Sequence, residues 1–141
     1  MPPRPPIPTT RTVAGPPAEV RARVEAAMRG LGLSPEATGP TAFRAESRAA
    51  RAEWAECDAI LTYDFEGDGG SRRSGWAYPG ARGAVVTAAF DPAEGGTRVD
   101  VSTRFAATYT NRFVNLPTTA ACESNGVVEA ALLGAAGGPA R

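Results

Sequence analysis

The sequence predicts an α+β domain of two layers: an antiparallel sheet of three to four strands with an N-terminal and a C-terminal helix packed on one face. Three observations carry this. Apolar residues recur at helical spacing near each end, at Val20, Val24 and Met28 and again at Val128, Leu132 and Ala135. Between them Val99, Val101, Thr103, Phe105, Ala107 and Tyr109 alternate with Arg98, Asp100, Ser102 and Arg104, as in a strand with one buried side. Each of these elements has a single apolar face, so stacking both helices on one side of the sheet buries them all.

Residues 1–16 hold most of a seventeen-residue stretch with seven prolines and no apolar run, so they are expected to form a flexible Pro-rich linker or tether. They show neither the basic start nor the apolar stretch of an export signal. The folded domain is expected over 17–136. Its first helix starts at Pro17, where a missing N–H costs nothing, and ends near Gly30 and Gly32. Thr41 to Ser47 alternates weakly, as a strand. Arg48 to Cys57 fits either a helical turn or a loop. Cys57 to Glu66 predicts a second strand with Leu61, Tyr63 and Phe65 on one side. Gly67 to Gly83 holds six glycines and predicts a long exposed loop. Ala84 to Phe90, a turn over 91–96, and Thr97 to Thr110 predict a hairpin whose long second strand bends near Ala106. Ser124 or Asn125 is expected to cap the last helix. Residues 137–141 are expected to be a disordered tail.

Composition excludes several activities. The chain of 141 residues has fifteen basic and fifteen acidic side chains, a net charge of zero, and no basic cluster of the kind that binds nucleic acid. It contains no His, and every basic residue is Arg. Histidine bases, histidine zinc ligands, P-loop lysines and Schiff-base lysines are therefore unavailable. Two cysteines cannot build a four-thiolate metal site. No cofactor is expected, and no enzymatic activity.

Cys57 and Cys122 stand before a strand and before the last helix, where a two-layer fold can join them as a disulfide; the alternative is two separate buried thiols. Asp64, Glu66 and Asp68 begin like a calcium loop, but Gly75 stands where the bidentate Glu is needed, so an ordinary acidic turn is expected. The same three carboxylates are the one close acidic group that could serve glycoside hydrolysis, and no aromatic cleft accompanies them. Arg72 and Arg73 with Trp76 and Tyr78 form a possible partner-binding surface of cations and aromatics; the alternative is a solvated loop. Ser124-Asn125-Gly126 could suggest an oxyanion site, but with no base in view helix capping accounts for it.

Trp54 and Cys57 before a strand, the segment Val99-Asp-Val-Ser-Thr-Arg-Phe105, and Cys122-Glu-Ser-Asn-Gly-Val-Val-Glu129 before the last helix resemble small proteobacterial envelope lipoproteins. The order helix, strands, helix is similar to the helix-grip domain of BamC-like lipoproteins of the outer-membrane assembly machinery. The resemblance implies a non-catalytic periplasmic domain, anchored at the outer membrane by a lipidated cysteine and acting through contacts with envelope proteins in an assembly or secretion complex. Met1 stands where that cysteine is expected, so the implied anchor lies outside this chain. A helix-grip fold can also carry a small ligand between helices and sheet, which is the second expectation.

Overall fold

β6 (Ser71–Ala93) and β7 (Gly96–Asn111) form one long antiparallel hairpin, and most other strands are laid against it in tandem. The structure, a computed structural model, describes residues 6–66, 71–111 and 114–138, with side chains for 6–59, 77–109 and 119–138. β3 (Ala42–Ser47) pairs with the C-terminal half of β6, and β5 (Ile60–Glu66) with its N-terminal half. On the other side, β1 (Thr10–Val13) pairs with the start of β7 and β8 (Val114–Ser124) with its end. β2 (Glu36–Gly39) extends the sheet beyond β3, and the two-residue β4 (Ala55–Glu56) extends it beyond β8.

The expected two-layer α+β fold of three to four strands is thus corrected: among the described residues the domain is mostly antiparallel sheet, eight strands against two α-helices. Three segments account for the difference. β1 lies inside the Pro-rich stretch expected to be a linker, held because β7 offers it a free ladder and Val13 is buried. The Gly-rich stretch expected to be a loop is strand from Ser71 onward, because β5 pairs with Ser71 to Ala77 and β7 takes over from Tyr78. β8 had no sequence signal of its own, Pro117 breaking its pattern. Residues 1–5 of the expected linker and 139–141 of the expected tail lie outside the described residues.

The hairpin turn is tighter than expected, with Ala93 paired to Gly96 and only Glu94 and Gly95 between them. Gly95 and Gly96 both take positive φ, +84° and +148°. Gly96 has a second reason to lack a side chain: a Cβ there would overlap the carbonyl of Val13, where β1 ends against the turn. The bend expected near Ala106 of β7 is a register shift on the facing strand, between Pro79 and Arg82 of β6. Proline cannot donate to a ladder, which makes Pro79 a natural site for the irregularity.

α1 (Pro17–Gly30) buries Val20, Val24 and Met28 at the predicted spacing. α2 (Val127–Ala136) is rotated from expectation: it buries Val128, Glu129, Leu132, Leu133 and Ala136, while Ala135 is half-buried and Val127 is 41% exposed. Both helices contribute to one core with Phe43, Val86, Phe90, Val99 and Phe105 of the sheet. Phe43 and Phe90 pack with ring centroids 5.2 Å apart. Trp54, in a 3-10 turn at Ala52–Trp54, closes the end of this core, and its carbonyl accepts the N–H of Asn125.

Candidate functional site

The half of the hairpin beyond the helices is organised by a chain crossing. Residues 57–59 lead from β4, beside β8, to β5, beside β6, and so must pass over β7. The hydroxyl of Tyr109 on β7 donates to the carbonyl of Asp58, 2.7 Å away, and marks that crossing. Small side chains allow the close approach: Ala77 and Ala107 are buried there with Tyr109 as a second cluster, joined by Cys57, Ala120 and Cys122.

Cys57 and Cys122 are bonded to each other as expected, with Cα atoms 4.7 Å apart and a sequence separation of 65. The bond fastens the crossing segment to β8 where β4 has just paired with Glu123 and Ser124. Such a link points to a non-reducing compartment such as the periplasm. Among the described residues no helix is long and apolar enough to cross a membrane.

The four residues expected to bind a partner all lie on β6 rather than on a loop. Arg72 pairs in register with Phe65, Arg73 with Asp64, and Trp76 with Leu61; their side chains lie outside the described residues. Tyr78 is 68% exposed, the most exposed large hydrophobic among the described residues. Asp64 and Glu66 belong to β5, and Gly75 belongs to β6, where it pairs with Thr62; the acidic turn expected after Glu66 falls on residues 67–70, outside the described residues. Asp68 lies outside the described residues. Among those described, no cluster of three acidic or thiol groups could hold a metal ion.

At the start of α2 the structure also differs from expectation. The cap is Gly126, at φ +81°, with no side-chain cap. Ser124 instead accepts the N–H of Gly126 and donates to Oε2 of Glu129 at 2.7 Å, while Thr103 of β7 donates to the same oxygen at 3.2 Å. Glu129 is only 3% exposed, and its Oε1 is buried with no hydrogen-bond partner. The carboxylate thus ties helix, β7 and the end of β8 together. Sequence reasoning missed it because Glu129 looked like an ordinary acidic residue in the first turn of a helix.

Open grooves lie between several of the described elements. One, of about 730 Å³, runs between Ile7 and Arg11 on one side and Asn125, Ala130 and Leu133 on the other. Another, of about 700 Å³, includes Glu46, Arg48, Val85, Arg104 and Ala121. The space between helices and sheet is filled, since Val20, Val24, Met28, Phe43, Phe90 and Leu132 are all fully buried in it.

No protein family, curated protein or solved structure matches the chain.

Proposed function

We propose that this chain is a non-catalytic module of the cell envelope, held at the outer membrane by a lipid anchor outside the present sequence and working through contacts with envelope proteins in an assembly or secretion complex. The disulfide supports the compartment, and the exposure of Tyr78 on a strand beyond the helix-backed half supports the mode of action. Large aromatic side chains on rigid strands are efficient contact residues because they bring area at small entropic cost. Resemblance to BamC-like lipoproteins supports the anchor. The second reading, a small-ligand carrier of helix-grip type, is disfavoured by the filled space between helices and sheet.

A photo-activated cross-linking residue at position 78, in the protein made in its own cells, is expected to capture a discrete envelope protein. The same residue at Glu94, in the opposite turn, serves as control. Equal capture at both positions, or none at 78, rejects the contact surface. Metabolic labelling with palmitate, followed by separation of inner and outer membranes, tests the anchor.

A further inference from the structure

The edges of the sheet are unequal in a way that bears on how the domain associates. An edge strand is a row of unpaired N–H and C=O groups, and folded proteins blunt such rows by shortness, bulges or proline. Among the described residues β1, β2, β4 and β5 each pair on one side, β3 is left uncovered by β2 over the three residues Ala45 to Ser47, and β8 is covered by β4 at its end alone. β1 and β2 have four residues each and β4 has two. β2 also carries a register shift between Ala37 and Gly39, and Arg11 of β1 reaches across to the carbonyl of Leu133 in α2. β8 is longer, yet Pro117 removes a donor from it and β4 covers its end. β5 has no bulge and no proline, and its charged residues are Asp64 and Glu66. Its seven residues, Ile60 to Glu66, run in unbroken register with β6 and include neither proline nor glycine.

We propose that the free edge of β5 pairs with the same edge of a second copy of this chain, antiparallel about a two-fold axis at Tyr63. The sequence of the strand selects both the occupant and the register. Centred on Tyr63, Leu61 stands opposite Phe65 of the partner subunit, and Thr62 opposite Asp64 of the partner subunit. All seven residues are paired and no carboxylate faces another. A slip of one residue sets Tyr63 against Thr62 or Asp64 of the partner subunit, and Leu61 against Asp64 or Glu66 of the partner subunit. A slip of two residues in one direction sets Asp64 opposite Asp64 of the partner subunit. In the other direction Phe65 and Glu66 run past the end of the paired segment, toward Asp58 of the partner subunit. A two-fold contact is closed, so association stops at the dimer. The pairing is independent of the envelope contacts proposed above, because Tyr78 lies on β6 and not at this edge.

Sedimentation velocity of the oxidised chain is expected to show a dimer at micromolar concentration. Because Cys57 and Cys122 are bonded to each other, a single added thiol is a clean reporter. Tyr63→Cys is expected to give a covalent dimer under mild oxidation, Thr62→Cys alone is not, and a mixture of Thr62→Cys with Asp64→Cys is. Tyr63→Glu is expected to abolish the dimer, and mixing it with Tyr63→Lys to restore a heterodimer, which shows that the charged variants are folded. A monomeric wild-type chain overturns the proposal, as does a dimer without this cysteine pattern. Capture at position 78 by a monomeric chain would leave the envelope reading standing while this one fails.

Discussion

Nε of Arg23 in α1 donates to the carbonyl of Ala136 in the last turn of α2, 3.0 Å away across 113 residues of sequence. Arg11 of β1 does the same for Leu133 at 2.9 Å. The last carbonyls of a helix have no partners within it and carry the negative end of its dipole, so two guanidinium groups from other elements complete this terminus. Arg23 also reaches Glu19 and the carbonyl of Ala14, which makes it a hub between α1, the β1–α1 link and α2.

Removing that hub while keeping its apolar stem isolates the polar contribution. Arg23→Met is expected to lower unfolding free energy by about 1–2 kcal/mol, in the range of a hydrogen bond to a charged group. Urea denaturation checks it. An unchanged midpoint would mean that water satisfies Ala136 equally well.

The disulfide closes a 65-residue separation, and the chain-entropy treatment assigns such a loop about 4 kcal/mol. The double variant Cys57→Ala, Cys122→Ala is expected to lose up to that amount in chemical denaturation. The unreduced, denatured wild type should show no titratable thiol. Two thiols without reductant would contradict the link.

Two neighbouring glycines with positive φ separate conformational from steric demand. Gly95 has open space around a would-be Cβ, so Gly95→Ala should cost only the left-handed backbone term of roughly 1–2 kcal/mol. Gly96→Ala adds overlap with the Val13 carbonyl and is expected to cost at least about 2–4 kcal/mol or to displace β1. Thermal unfolding of both variants gives the comparison. Equal losses would place β1 elsewhere.

Glu129 depends on its hydroxyl donors. Ser124→Ala is expected to cost about 1–3 kcal/mol because it strips the shorter of two hydrogen bonds from a buried carboxylate. Thr103→Val, which removes the longer one and retains the shape, should cost less. The reverse order in urea titrations would show that Thr103 carries the anchor.

Some of this architecture is legible locally. The stripe Val20, Val24, Met28 makes an amphipathic helix whatever surrounds it, and the alternation from Val99 to Tyr109 makes a strand with one buried side. The pairing of Cys57 with Cys122 follows from two thiols near strand and helix boundaries, once they meet across a sheet. The setting of Tyr78 on a strand was illegible, because a Gly-rich stretch from 67 to 83 has the composition of a loop.

Composition and spacing by themselves determined that histidine and lysine side chains are unavailable, and where the first helix and the central hairpin form. Tertiary structure alone decided that Thr10–Val13 is strand inside a Pro-rich segment, that β6 starts as early as Ser71, that Pro117 sits in a strand, and that Glu129 is buried. The reason is physical. A helix closes its hydrogen bonds within its own turn, so its signal is local, whereas a strand is completed by N–H and C=O groups supplied from elsewhere in the chain. β1 and β8 exist because the flank of β7 was open to them, and no window of their own residues contains that fact.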